Sequence, residues 1–355
     1  MPSRGVPAQP APNPKPFPRY DVGSDASIDP MPDPVQPAPL ISVALCTFNG
    51  AGYLREQLDS VLAQTEVQIE VVAVDDCSQD QTRAILQEYA AIDPRVRCYD
   101  NERNLGPTAS FEHAMSLCRG DFIAPCDQDD IWQPAKLSRL LAAIGSCDVA
   151  YCDSEYVDAQ GLASGRRISD DVAMIAGHNP IAFLFANSVS GHAMLLRRDQ
   201  FERARPFPAH AYHDWWLALC AAGRNGVRFL DEPLVQFRRH ANAHSPMGKS
   251  SGGVSREAAA SLAWLEQRHA LMDSYAGVGL RDAALARAFA DAFRLAIDRG
   301  RSGALMRLLW QQRRALPQWK GIPVIDALKM QTRVLKKLRR ARRIAPGANT
   351  TDPTR

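Results

Sequence analysis

Between Ile41 and Asp130 the chain repeats one arrangement: a short apolar run, a polar cluster, then apolar residues at helical spacing. Ile41-Ser42-Val43-Ala44-Leu45 has the character of a buried strand and ends in the turn Thr47-Phe48-Asn49-Gly50, with Leu54, Leu58, Val61 and Leu62 recurring at helical spacing behind it. Val71-Val72-Ala73-Val74 is a second strand, ending in Asp75-Asp76. Ser78 and Gln81 have capping-box spacing for a helix lined by Ile85, Leu86 and Tyr89. Val96 to Tyr99 is a third strand, and a helix carrying Phe111, Met115 and Cys118 follows it. Phe122-Ile123-Ala124 is a fourth strand, running into Asp127-Gln128-Asp129-Asp130. Such alternation predicts an α/β fold whose mostly parallel central sheet is covered on both faces. Sheets of this kind bind ligands beyond the carboxyl ends of their strands, which is where the polar clusters fall.

The 355 residues suffice for one sizeable catalytic domain with appendages. Residues 1–40 hold twelve of the 25 prolines and little that could pack, so a disordered tail is expected there. A catalytic domain is expected over 41–250 and a helical region over 251–344, with breaks at Gly277-Gly279, Gly300-Gly303 and Pro317-Pro323; 345–355 would be a second tail. The eight cysteines show no CxxC spacing and several sit in apolar runs, which suits reduced, buried thiols in a cytoplasmic protein rather than a zinc site. The net charge of +3 gives no case for nucleic acid. Seven basic residues and no acidic one lie between Arg333 and Arg343, beside Val334, Leu335 and Leu338. This basic amphipathic end suggests a peripheral contact with an anionic membrane surface, at the inner face of the plasma membrane. No apolar stretch approaches the ~18 residues of a spanning helix.

Three carboxylates within four residues at a strand end need a cation. A hard divalent ion, Mg²⁺ or Mn²⁺, fits oxygen ligands and is often shared with substrate phosphates. By itself the cluster is equally readable as a solvated acidic turn.

The surrounding residues resemble glycosyltransferase family 2, the inverting transferases of the GT-A fold. The resemblance rests on Val43 to Gly50, Leu58-Asp59-Ser60-Val61-Leu62, Val74-Asp75-Asp76, Asn101 to Gly106 and Gly120-Asp121-Phe122. It continues through Cys126-Asp127-Gln128-Asp129-Asp130-Ile131-Trp132, Asn187 to Gly191, His213-Asp214-Trp215-Trp216 and Arg238-Arg239-His240. The Asp-Gln-Asp-Asp-Ile-Trp and His-Asp-Trp-Trp forms are similar to the branch of bacterial rhamnosyltransferases and related surface-polysaccharide enzymes. Two departures stand out: His240 replaces the Trp of the Gln-x-x-Arg-Trp motif of processive members, and Cys46 replaces a usual proline.

The resemblance implies a GT-A nucleotide-binding fold with a helical C-terminal extension and a role for each matched residue. Thr47, Phe48 and Asn49 would line the nucleotide pocket, Asp76 would accept from a pyrimidine N3–H, and Asp75 would support it. Asp129 and Asp130, with His240, would hold the metal, and Asp127 the ribose or a metal-bound water. Arg239, with Arg238 and His240, would sit over the diphosphate. Asp214 would be the general base, with Trp215, Trp216 and Gly191 on the acceptor side. The implied reaction moves a sugar, from dTDP-L-rhamnose or a UDP-sugar, to a glycan or lipid-linked acceptor in O-antigen-type polysaccharide biosynthesis. A sugar-phosphate nucleotidyltransferase and a non-catalytic sugar-binding module are the alternatives.

Overall fold

The computed structural model describes residues 38–240, 254–318 and 321–342. Apart from 38–40, the expected tails at 1–40 and 345–355 lie outside these residues.

Strand β1 (Leu40–Thr47) lies at the centre of the first half. It pairs in parallel with β2 (Gln68–Asp75) on one side, from Leu40 opposite Gln68 to Thr47 opposite Asp75, and with β4 (Phe122–Cys126) on the other. Strand β3 (Val96–Asp100) adds to β2, also in parallel. Successive side chains of a strand point to opposite faces, and the apolar runs fill both. Val43, Leu45, Val71 and Ala73 pack with Leu54, Leu58, Val61 and Leu86 of helices α1 (Leu54–Leu62) and α2 (Thr82–Ile92). Ala44, Val72, Val74 and Ile123 pack with Phe111 and Met115 of α3 (Pro107–Ser116).

Beyond β4 the sheet becomes mixed. It contains β5 (Ile131–Trp132), β6 (Val149–Val157), β7 (Ala163–Arg167), β8 (Met194–Arg197) and β9 (Val227–Arg238), in the order β3-β2-β1-β4-β8-β6-β9-β5 with β7 beside β6. The long ladders are parallel, including β6 with β9; the pairings of β8 with β4 and β6, of β5 with β9 and of β7 with β6 are antiparallel. Pairing Ile131 with Gln236 carries the acidic cluster to the end of β9, where Arg238 follows.

Helix α4 (Lys136–Ile144) follows β5, and α5 (Ile168–Asp171) and α6 (Pro180–Phe185) follow β7. A 3₁₀ turn at Gly191–Ala193 leads into β8, and α7 (Arg198–Ala204) and α8 (His213–Ala222) come before β9. The C-terminal part is helical as expected: α9 (Val254–Gly277), α10 (Ala283–Arg299), α11 (Gly303–Gln311) and α12 (Pro323–Ala341). These helices share one apolar core with the sheet, in which Phe289 meets Phe185 edge-on at 5.1 Å.

Two expectations are corrected. The Ser78–Gln81 capping box does not form: α2 starts at Thr82, whose N–H bonds to Asp80 Oδ1, while the Ser78 hydroxyl donates to Asp75. The apolar stripe of α12 does not face outward either. Ala327, Met330, Val334, Leu338 and Ala341 are buried in the common core, leaving the basic side chains on the outer side.

The end of the sheet opposite the polar clusters is clamped by Glu70. Its carboxylate accepts from Ser42 Oγ (2.6 Å), Arg119 N (2.6 Å) and an Arg97 guanidinium nitrogen (2.8 Å), and Ser42 Oγ in turn accepts from Gly120 N. A Cβ on Gly120 would stand 2.5 Å from Leu40 O and 2.8 Å from Ser42 N, both backbone atoms that cannot swing aside. Gly120→Ala is therefore expected to destabilise the fold by about 1–3 kcal/mol, seen as a lower urea midpoint; an unchanged midpoint would show that the turn relaxes freely.

Candidate active site

The parallel register of β1, β2 and β4 brings the three polar clusters to one edge of the sheet. Thr47 donates to Asp75 Oδ1 at 2.9 Å, and Asp75 also accepts from Ser78 N (2.8 Å) and Ser78 Oγ (2.5 Å). Asp76 accepts from Asn101 Nδ2 (2.7 Å), Leu105 N (2.8 Å) and Gly106 N (2.9 Å), so it clamps the 101–106 loop. A carboxylate has about four lone-pair sites, and one is left over. Asn49, in a left-handed conformation (φ 51°), donates its N–H to Ser78 Oγ and accepts from Gln79 N. Phe48 is exposed, and its backbone is held from both sides by the Gln128 amide, which accepts from Phe48 N (2.8 Å) and donates to Phe48 O (3.0 Å). The nucleotide-pocket candidates and the acidic loop are thus one connected surface.

Within the acidic loop the carboxylates separate. Asp127, Asp130 and His192 form a group, found among the described residues, with one ligand atom from each lying within 4.8 Å of the others. His192 Nδ1 is 3.5 Å from Asp130 Oδ2 and 3.7 Å from Asp127 Oδ2. The Asp130 side chain is 0% exposed and that of Asp127 is 42% exposed, so the group is buried on one side and open on the other. Asp130 Oδ1 accepts from Arg238 N (3.0 Å), whereas Asp130 Oδ2 is buried without a hydrogen-bond partner. Burial pushes the Asp130 carboxyl up to about 7, and Asp129 and Asp127 add to the rise against the pull of His192. An orphaned buried carboxylate oxygen facing an imidazole nitrogen and a second carboxylate suits a divalent cation. Asp129 and His240, expected beside Asp130 as ligands, instead pair with each other at 2.9 Å.

His192 was not a candidate in the sequence, although Gly191 beside it was. Its Nε2 meets Ser154 Oγ at 3.0 Å, its ring stacks on Phe237 at 4.7 Å, and its carbonyl accepts from the buried Lys136 Nζ at 2.7 Å. A hydrogen-bonded second nitrogen is the usual arrangement for a ligating histidine.

The same turn reaches Asp214. The Asp214 carboxylate accepts from Trp215 N (2.5 Å) in the first turn of α8, and the nearby Gly191 N–H favours its charged form. Burial raises the Asp214 carboxyl above its usual range, and the distant charge of Asp127 adds to this. Gly191 admits no side chain, because a Cβ there would lie 2.6 Å from His213 Nε2; His213 itself stacks on Phe111 at 4.0 Å.

Of the other candidates, Trp216 does not fit a stacking role. Its indole is 2% exposed, sits in the core and donates to Ala204 O at 2.7 Å. Trp215 is partly buried, with its indole N–H on Phe183 O. Arg239 is exposed, its guanidinium 5.3 Å from the Tyr156 ring centre. Arg238 is internal: Nε donates to Asp129 O, Nη1 to Ala159 O and Nη2 to Glu56 Oε2.

Residues 42–203 match the family described as glycosyl transferase family 2. An uncharacterized glycosyltransferase of Nostoc, alr2836, is 28% identical over 248 residues, which is 66% of this chain and 75% of that one. Among solved structures, residues 1–349 of Staphylococcus aureus TarS in complex with UDP-GlcNAc align with a TM-score of 0.54 at 19% identity, over 85% of this chain and 89% of that one. The mannosyltransferase PcManGT of Pyrobaculum calidifontis, in complex with GDP-Man and Mn²⁺, aligns with a TM-score of 0.50 at 17% identity, over 86% and 87%. At such identities the structural likeness speaks for the fold alone, a mixed α/β GT-A-like sheet with a helical C-terminal region. With its matched motifs at the strand ends of that sheet, the chain carries a glycosyl transferase family 2 domain over residues 42–203 and is a glycosyltransferase.

Proposed function

We propose that the chain is a metal-dependent inverting transferase that moves a sugar from a nucleotide-sugar donor, dTDP-L-rhamnose or a UDP-sugar, to a glycan or lipid-linked acceptor in cell-surface polysaccharide biosynthesis. The observation that carries this reading is the turn at Gly191–Ala193. One residue of it, His192, faces Asp127 and Asp130, and the adjacent Gly191 lies against His213, the residue before Asp214. A metal corner and a basic carboxylate joined through two neighbouring residues suit a one-step displacement. Support for the donor class comes from TarS and PcManGT, solved with UDP-GlcNAc and with GDP-Man and Mn²⁺.

In this reading Phe48 offers its face to the nucleotide base while the Gln128 amide fixes its backbone. Asp127, Asp130 and His192 hold Mg²⁺ or Mn²⁺. Bound there, the ion supplies positive charge to the leaving diphosphate, and the exposed Arg239 adds to it. Asp214 takes the proton of the acceptor hydroxyl as that oxygen bonds to the anomeric carbon and the nucleoside diphosphate departs. Its raised position strengthens it as a base. The nucleotidyltransferase alternative is disfavoured, because the turn after β1, Phe48-Asn49-Gly50, has no basic residue to hold a triphosphate.

No helix among the described residues is long and apolar enough to cross a membrane. A peripheral contact has to use residues other than the buried stripe of α12. Trp310, Ile322, Val324, Ile325 and Leu328 are the exposed apolar side chains near its start, and the basic residues continue beyond them.

Three outcomes are expected. Calorimetric titration with Mn²⁺ in the presence of a nucleoside diphosphate should show binding about tenfold or more weaker in His192→Ala; equal affinity would remove His192 from the site. Asp214→Asn should lower sugar transfer by about 10²–10⁴-fold with donor binding retained, and transfer by the unmodified protein should fall as pH drops and protonates Asp214. A variant transferring at the normal rate would exclude Asp214 as base. Cosedimentation with phosphatidylglycerol vesicles should be lost in a Trp310→Ser, Leu328→Ser variant, and undiminished binding would overturn the membrane contact.

A further inference from the structure

Around Trp264 on α9 lies a cationic cluster that the reaction described above does not use. Arg268, one turn along the helix, is 6% exposed, and its Nε and Nη1 are buried with no hydrogen-bond partner. Its guanidinium carbon is 4.1 Å from the Trp215 ring centre and 4.9 Å from that of Trp264. From α12, Arg333 and Lys337 approach the same Trp264 ring, at 5.3 Å and 5.8 Å. Among the described residues none of these three cations forms an ion pair, and Glu257 on the same helix is engaged by Arg340 at 3.3 Å.

This arrangement is costly as it stands. Burial, reinforced by Arg333, pushes the Arg268 guanidinium down to about 9, which leaves it cationic near neutrality. Aromatic faces compensate a buried cation in part, but idle guanidinium N–H groups away from water call for an acceptor. The contrast with Arg238, whose three guanidinium nitrogens all have oxygen partners, is direct. A planar fork of donors next to two further positive charges matches an oxyanion. The position narrows its source. Trp215, on which Arg268 lies, directly follows Asp214 in the first turn of α8, whereas the metal candidates meet that turn through His192 and Gly191, which lies against His213, the residue before Asp214.

We propose that Arg268, Arg333 and Lys337, framed by Trp264 and Trp215, bind an oxyanion carried by the acceptor, a phosphate ester or a sugar carboxylate, and so hold the acceptor beside Asp214. The assignment to the acceptor rests on the transferase reading of Asp214; the oxyanion site itself does not.

The test is titration of the full chain with sn-glycerol 3-phosphate, with D-glucuronate, and with neutral glycerol and glucose, followed by tryptophan fluorescence and calorimetry. Saturable binding of at least one of the two anions and of neither neutral compound is expected, and which anion binds identifies the oxyanion. Arg268→Met should abolish binding. The Arg333→Ala, Lys337→Ala variant, altered only at side chains outside the core, should weaken it at least tenfold and decides the matter if Arg268→Met does not fold. Absence of saturable anion binding, or equal affinity in the double variant, would overturn the site. Donor hydrolysis by the unmodified protein is measured alongside: anion binding without hydrolysis would sink the transferase reading and leave the oxyanion site standing, and hydrolysis without anion binding would do the reverse.

Discussion

The acidic loop after β4 keeps its shape because of Arg238. This guanidinium is buried at the end of β9, and each of its nitrogens reaches an oxygen: Asp129 O, Ala159 O and Glu56 on α1. Its backbone N–H takes one oxygen of Asp130. A buried charge is tolerated when its hydrogen bonds are complete, and completeness here fixes three segments distant in sequence around one side chain. The consequence for Asp130 is asymmetric, with one oxygen committed to the backbone and the other turned towards His192. The chemistry of the loop therefore depends less on how many carboxylates it has than on which oxygen the neighbouring strand has already claimed.

Two groups of opposite charge connect to the start of α8. Towards β4 lie Asp127 and Asp130, an anionic corner with an oxygen to spare. Towards α9 lie Arg268 and its cationic neighbours, with donors to spare. Asp214 lies in the first turn of α8 and accepts from that helix's own Trp215 N–H. Opposite charges of this kind suit a molecule that carries a negative group as well as a reacting hydroxyl.

Much of this was legible in the sequence. Strands β1 to β4, the helices between them and the helical character of the C-terminal region follow from apolar patterning, because each buries a face whose spacing is set by its own geometry. The polar residues at strand ends were legible for the same reason. His192 was not. A single histidine opening an apolar strand carries no spacing signal, and its partners Asp127 and Asp130 lie far away in sequence, brought near by antiparallel pairing of β8 with β4. Trp215 and Trp216 could not be told apart because α8 is apolar nearly all round, so no stripe marks its inner face. The α12 error was of another kind: periodicity gave an apolar stripe but not its partner, which turned out to be the protein's own core. Arg238 and Arg239 are neighbours of one type, and only the strand's alternation sends one inward and the other outward.

The core shared between sheet and C-terminal helices has a consequence for how such a chain can change over evolutionary time. Phe289 and Phe293 on α10 pack with Phe185, and the same core contains Trp216 and Leu217 of the helix that begins beside Asp214. Helices 9 to 12 are thus not a removable attachment that could be traded between relatives as a unit. Exchange would break a continuous interior, whereas drift of single residues on the outer faces would leave it whole. Inheritance in this architecture favours gradual retuning of what the helices recognise over recombination of parts.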